Sequence, residues 1–379
     1  MKLVIFGDTH LGRKNFKVDE REKDFLNSFT QVIDYSILNQ IECVIHSGDL
    51  FDTAKPNINI ILFVIKELQR LKEKNIKFFV IAGSHDVGIN DTFLNVLDSL
   101  KLLTNITNKR YYEANENKIE LKGEVYKELF ICGIPGKNNI IESLKYVNVD
   151  IPENKFSIFV FHHIIEDISP LFSSIKKSDL PENFDLYISG HWHGKFITKV
   201  NNSPLIYAGS TESCNLSEMK NKEKGFFSFD TNLNKLDFIN LKTRNVIINE
   251  IDCNEKDSLE ILDEIISLIK PGNKDMLFFI LKGVMKNGVK SDINKHLIYE
   301  TAIKNNYLLC RVYFSELLDQ LQEQILIEKK SIKEIEAEFF KSKGFNNNQI
   351  KTAINLMTLL SDKSNNNEII EILKKSDLS

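Results

Sequence analysis

The chain has 379 residues, too many for one small core and enough for two or three domains. Hydrophobic residues make up 42% and charged residues 27%, the balance of an ordinary globular protein. The net charge of −4 excludes a protein that holds nucleic acid by overall basicity; such binding would need a local face, a metal site or a partner.

Five cysteines, Cys43, Cys132, Cys214, Cys253 and Cys310, form neither a CxxC pair nor an even set. A disulfide framework and a zinc ribbon are therefore not expected, and a reducing, cytoplasmic compartment fits. The opening MKLVIFGD is too short for a signal peptide and is interrupted by Asp8. No run of about 18 apolar residues exists to span a membrane.

Read in order, Lys2 to Gly7 is a short apolar strand without alternation, as in a strand buried on both faces. Phe25, Phe29, Val32, Ile33 and Ile37 mark a helix. Glu42 to Ser47 is a second strand, Ile60 to Lys74 a helix, and Lys77 to Ala82 a third strand. This alternation predicts an α/β layered domain. A weaker helix spans Thr92 to Leu103, and strands follow at Glu128–Ile134, Ser157–Phe161, Leu186–Ser189, Leu205–Ala208 and Gly225–Asp230. Two sheets packed face to face, with helices outside, are expected.

Composition shifts near residue 235. One or two strands over Leu236–Ile251, a helix over Ser258–Ile269 stopped by Pro271 and Gly272, and a strand over Met276–Val284 predict a small α+β domain. From Tyr313 the pattern reads as helical: Phe314, Leu317, Leu318, Leu321 and Ile325 form one stripe. A capping box at Ser331 and Glu334 opens a second helix, and a third carries Ile350, Ile354 and Met357. The division expected is 1–235, 236–305 and a C-terminal helical segment, 306–379.

Chemistry concentrates where strands end. Asp8-Thr9-His10, Gly48-Asp49-Leu50-Phe51-Asp52, Gly83-Ser84-His85-Asp86, His162 with His163, and Gly190-His191-Trp192-His193 each follow an apolar strand. Loops at the carboxyl ends of strands are where α/β sheets hold ligands. Mixed histidine and aspartate donors suit manganese, iron or zinc. In Asp8-x-His10 and His191-x-His193, alternate positions on an extended segment would point to one side. The glycines before Asp49, Ser84 and His191 would let the backbone turn sharply.

The order DxH, GDxxD, GSHD, lone His, GHWH resembles the calcineurin-like metallophosphoesterase superfamily over residues 1 to about 215. Within it, DTHLG, Arg21-Glu22, HSGDLFD followed by Pro56, GSHD, GHWH and YAGSTE at 207–212 look most like the SbcD-type and meiotic-recombination nucleases of double-strand-break repair. The resemblance implies a two-sheet sandwich flanked by helices, with a small α+β capping domain. It implies Asp8, His10 and His193 on one metal, Asp49 bridging, and His162, His191 and residue 84 on the second. His85 would be a catalytic non-ligand that stabilises the transition state or protonates the leaving 3′ oxygen, with Asp86 orienting it and Asp52 in support. Two Mn²⁺ about 3.5–4 Å apart would clamp the phosphate and generate hydroxide for in-line attack.

The same resemblance implies 3′-to-5′ exonuclease activity on DNA ends and endonuclease activity on hairpins and single strands. It also implies a coiled-coil ABC-type ATPase partner docked by the tail, whose stripes could equally pack on each other, and a homodimer made through the helix of Phe93, Leu94, Val96, Leu97 and Leu100, whose apolar face could equally be domain core. The protein would be nucleoid-associated. One departure stands out: the family has asparagine where this chain has Ser84, whose hydroxyl reaches less far than an amide oxygen, so the second metal site is expected to be weaker. Lys220, Lys222 and Lys224 could touch phosphates or form a solvated loop. Two rivals share the motifs. A phosphomonoesterase or small-molecule phosphodiesterase usually lacks such a long C-terminal extension. A DNA-end-binding scaffold disabled at Ser84 would bind without cutting.

Overall fold

The computed structural model describes residues 1–87, 92–108, 110–112, 119–136, 147–171, 173–220, 223–319, 339–341, 343–346 and 349–353. The chain divides into two compact units, Met1–Val246 and Ile247–Ser379.

In the first unit, β1 (Lys2–Phe6) pairs in parallel with β2 (Cys43–His46), β2 with β3 (Lys77–Val80), and β3 with β4 (Thr104–Asn105). Gly225–Asp230 and Lys235–Asn240 extend the other edge of β1 antiparallel, making six strands. A second six-stranded sheet runs in the order 196–200, 203–207, 186–189, 156–161, 129–133, 124–126. Strand alternation explains why β1 and β2 are apolar throughout. Leu3, Ile5, Cys43 and Ile45 face Ile131, Ile158, Val160, Ile188 and Ile206 of the second sheet. Val4, Phe6 and Val44 face the helices instead. Each fully buried side chain of this kind contributes about 1.5–3 kcal/mol.

The helices are α1 (Asp19–Leu38), α2 (Ile58–Glu73) and α3 (Phe93–Ser99). Their buried stripes, Phe29, Val32 and Ile33, then Val64, Leu68 and Leu71, then Leu94 and Leu97, cover the outer face of the first sheet. Asn57 caps α2 and Thr92 caps α3 through side-chain oxygens. Helix α3 is shorter than the Thr92–Leu103 pattern implied, because Lys101 turns left-handed. The outer face of the second sheet is covered by chain over 164–171 and 173–184, whose Ile165, Ile175, Leu180 and Phe184 pack on Phe159, Phe161 and Tyr187. The helices expected on that side are replaced, among the described residues, by irregular chain, a short 3-10 turn and a three-stranded sheet of 110–112, 119–121 and 147–149, whose Leu121, Val147 and Val149 join the same core.

The second unit holds a three-stranded sheet, Val246–Asp252, Met276–Val284 and Leu309–Leu318, with Met276–Val284 central. Helices Ser258–Leu268 and Lys295–Lys304 bury Ile261, Ile265 and Ile298 against Leu277, Phe279 and Leu281. Asp257 and Glu260 form the capping box of the first of these helices. The helix read from Tyr313 onward is corrected here. Leu309–Leu318 is one strand, parallel to Met276–Val284 through a bulge at Ile280/Lys282, and this long-range pairing overrides the local 3–4 spacing of Phe314, Leu317 and Leu318. Leu321, Ile325, the capping box at Ser331 and Glu334, Ile354 and Met357 lie outside the described residues. No helix among the described residues is long and apolar enough to cross a membrane. All five cysteines are buried free thiols.

Candidate metal centre

The five motifs leave the carboxyl ends of strands in both sheets and meet in one cluster. Backbone bonds set the first two loops side by side: Asp8 N donates to Gly48 O (2.9 Å), His10 N to Asp49 O (3.0 Å) and Leu11 N to Leu50 O (3.0 Å). The third loop is tied to the second by Asp86, whose buried carboxylate accepts from Leu50 N (3.1 Å), Phe51 N (3.0 Å) and Gly83 N (3.0 Å). Burial, and then the nearby Asp49, raise Asp86 to about 6. The fifth motif's loop is tied to the first by Asp8, whose carboxylate accepts from His191 N at 2.9 and 3.2 Å.

The extended geometry inferred for Asp8-x-His10 and His191-x-His193 is not what brings these side chains together. Asp8 (φ 48°), His10 (φ 43°), Asp49 (φ 53°) and His191 (φ 76°) are all left-handed, a conformation that costs non-glycine residues about 1–3 kcal/mol each and gathers at functional sites. Of the glycines, Gly48 has a positive φ (104°), whereas Gly83 serves closeness: a Cβ there would lie 2.2 Å from Asp49 N.

Asp8, His10 and Asp49 bring ligand atoms within 4.8 Å of one another, and so do Asp49, His162 and His191. Asp49 is common to both groups. It accepts from His85 N (2.7 Å) and Ser84 Oγ (3.3 Å). His193 joins the first group, with its Nε2 3.1 Å from His10 Nε2.

The partners of the opposite ring nitrogens decide what these atoms offer. His193 Nδ1 is 3.0 Å from Glu218 Oε1 in a hydrogen bond, whereas the buried His10 Nδ1 makes none and lies 3.3 Å from Asp52 Oδ1; in both rings the nearby carboxylate favours the proton at Nδ1. Two Nε2 lone pairs then face each other. His162 repeats the pattern: Nδ1 donates to Ser47 O (2.8 Å), and the buried Nε2 has no hydrogen-bond partner while lying 3.1 Å from Asp49 Oδ2. Lone pairs opposed to lone pairs and carboxylates in a buried centre repel unless a proton or a metal cation lies between them. Burial opposes charge on His162, but Asp49 and Asp8 outweigh it and raise its pKa to about 9. The centre is built for positive charge, and its nitrogen and oxygen donors fit divalent metal ions.

His85 is exposed at the edge. Its Nδ1 lies 2.7 Å from the Asp52 carbonyl, which can only accept, so Nε2 is the free nitrogen. Asp86, expected to orient His85, instead ties loops together, and the orienting group is the Asp52 backbone. The Asp52 carboxylate receives Arg13 Nη1 at 2.8 Å and stands behind His10. His163 is turned away, with its ring nitrogens 3.2 Å from Ser174 Oγ and 3.1 Å from Pro135 O. Lys224 is a brace: it is buried and donates to Ser210 Oγ (2.6 Å), His193 O (3.2 Å) and Glu218 Oε2 (3.3 Å). Lys222 lies outside the described residues.

Three contributors escaped the sequence reading. Glu218 is held by Cys214 N and Asn215 Nδ2 and orients His193. His46 is buried against Thr9 Oγ1 at 3.1 Å and kept neutral by burial, with its pKa near 3. Cys214 lies beside His10 and His193, its thiol pushed up by burial against the pull of His193. No motif spacing marks Glu218 or Cys214. His46 stood inside HSGD and within the expected strand Glu42–Ser47, with no role assigned to it. Beside the cluster opens a cavity of about 690 Å³ lined by Asp49, His85, Ile164, Trp192, His193 and Asn215, among others.

A family model described as calcineurin-like phosphoesterase matches residues 1–195. The chain is similar over most of its length to proteins described as DNA double-strand break repair protein Mre11. The one from Methanococcus maripaludis is 30% identical, with 90% of this chain and 91% of the relative covered. That of Sulfolobus acidocaldarius is 28% identical over 99% and 98%, and that of Methanocaldococcus jannaschii 26% over 98% and 98%.

Proposed function

The chain belongs to the calcineurin-like phosphoesterase family, and we propose that within it this protein is a metal-dependent DNA nuclease of double-strand-break repair. Similarity to the named repair proteins runs through nearly their whole length, beyond the phosphoesterase motifs alone. The observation that carries the chemistry is the opposed pair His10 Nε2 and His193 Nε2, 3.1 Å apart with both Nδ1 atoms beside carboxylates.

In this reading Asp8, His10 and His193 hold one cation, Asp49 both, and His162, His191 and Ser84 the second. Manganese suits the mixed donors. Two such ions supply Lewis acidity to the phosphoryl oxygens and a hydrolytic nucleophile at neutral pH. The residues do the rest. Asp52 and Glu218 fix the His10 and His193 rings. Asp86 and Asp8 hold the loops in register. His85 presents Nε2, at which it can stabilise developing charge or hand a proton to the leaving 3′ oxygen.

The same proposal includes 3′-to-5′ cutting of duplex ends and endonucleolytic cutting of hairpins and single strands. The second unit would cap DNA, and the chain beyond residue 306 would dock a coiled-coil ABC-type ATPase on nucleoid DNA. A homodimer is supported by exposed apolar side chains, Leu62 (48%) in α2, Val96 (47%) in α3 and Leu100 (50%) just after it, while Leu94 and Leu97 of the expected face belong to the core.

The test is cleavage of an end-labelled duplex and a hairpin with manganese. His85→Ala should lower the rate by roughly 10²–10⁴-fold. A wild-type protein that binds both substrates and cuts neither would leave only the scaffold reading.

A further inference from the structure

Trp192 is the one tryptophan of the chain, and it stands between two candidate ligands, His191 and His193. Around it Asp8, His10 and Asp49 are 1% exposed, whereas Trp192 is 37% exposed. Among the described residues it belongs to none of the hydrophobic cores. Its seat is nevertheless built. The indole edge lies against the backbone of Gly194, where a Cβ would come within 2.8 Å of Trp192 Nε1 and 3.2 Å of Cε2. Any side chain at 194 would displace the ring.

The ring lines the cavity beside the cluster, together with Ile164, Asn215 and Ser217 and with His85 and Asp49. A phosphodiester needs only the cations and His85. It has no use for an apolar wall of tryptophan and isoleucine, and the cavity, at about 690 Å³, exceeds what a phosphate group fills. A nucleobase has the opposite needs. It offers a flat π-face to stack and a polar edge whose N–H groups can donate to Ser217 Oγ, which spends its own proton on Asn215 Oδ1 (2.6 Å) and keeps its lone pairs.

We propose that Trp192 is a stacking platform for the nucleobase that flanks the scissile phosphate, so that the centre acts on a nucleotide turned out of its helical stack. The inference rests on the nuclease reading above and deepens it. Every base has a π-face, so such a platform selects an unstacked nucleotide without selecting sequence. Unpaired ends, frayed duplexes and hairpin tips, where unstacking costs least, become the preferred substrates.

The single tryptophan is its own reporter. The full chain carrying His85→Ala, whose slowed cutting leaves the DNA intact over the time of a titration, is titrated with manganese and a labelled single-stranded oligonucleotide. Binding is read by anisotropy of the label and stacking by quenching of Trp192 fluorescence. A matched set of oligonucleotides carries an abasic site at each position beside the scissile linkage in turn. With His85 intact, Trp192→Ala and Trp192→Phe are compared on the same substrates by kcat/KM. The expected results are quenching by normal DNA that one abasic position removes, and a roughly 5- to 150-fold loss for Trp192→Ala on normal DNA, the equivalent of about 1–3 kcal/mol at 1.4 kcal/mol per tenfold. That loss should vanish on the oligonucleotide abasic at the quenching position, and Trp192→Phe should recover most of it. Binding without quenching, or an equal loss on normal and abasic DNA, overturns the inference while leaving the nuclease reading intact. No binding of DNA by any variant overturns both.

Discussion

Arg21 and Glu212, 191 residues apart in the chain, form a buried ion pair with Nη2 3.1 Å from Oε1. Arg21 is fully buried and spends its remaining donors on Asn15 Oδ1 (2.9 Å), Asp24 Oδ2 (2.6 Å) and Ser213 O (3.2 Å). Arg244 closes the network with two bonds to Asp24, at 2.7 and 2.6 Å. The start of α1 is thereby fastened to the 212–214 segment, next to Glu218 and His193.

Breaking that pair from one side strands a buried charge. Arg21→Met should destabilise the first unit by about 3–5 kcal/mol in urea denaturation, and Arg21→Met with Glu212→Leu should regain part of the loss. A single variant as stable as wild type would show that the network contributes nothing.

Glu218 acts on the metal through His193. Glu218→Gln keeps the size but weakens the hold on Nδ1, and manganese affinity measured by calorimetry should fall about 10–100-fold. The folded state should be little changed by circular dichroism. An unchanged affinity would mean that Glu218 is only a loop brace.

Ser84 donates to Asp49 Oδ2 at 3.3 Å. Ser84→Asn brings a longer, neutral amide oxygen to the second group, so the weaker manganese equivalent in a binding titration should tighten, and cleavage should be kept or raised. Loss of cleavage in this variant would mean that the serine hydroxyl is itself required.

Asp86 satisfies three buried amides. Asp86→Ala leaves them unpaired, at about 1–3 kcal/mol each, and should cost both thermal stability and activity. Asp86→Asn, which retains one acceptor oxygen, should fall between the two. If Asp86→Ala lost activity at wild-type stability, a direct chemical role for Asp86 would replace the structural one.

Much of the centre was legible because it is local. An apolar strand followed by His or Asp marks a loop at a strand's carboxyl end, and Asp8, Asp49, His162 and His191 lie together as those clusters implied. The means were not legible. Left-handed turns at Asp8, His10, Asp49 and His191 do what extended alternation was expected to do, because backbone conformation in a loop is set by neighbours that the loop's own residues do not name. Glu218 reaches His193 only because the fold returns the chain there, and Leu309–Leu318 is a strand only because Met276–Val284 offers it an edge. Both Arg21 and Glu212 were visible as signature residues, but their bond to each other was not.

The bond from Asp8 to His191 joins residues 183 apart and stitches one sheet to the other. Contacts of that sequence separation close late, after each sheet has its own strands in place. A cation at that junction should therefore leave the refolding rate nearly untouched and instead slow escape from the native state. The metal would set how long the folded molecule lasts more than how quickly it is made.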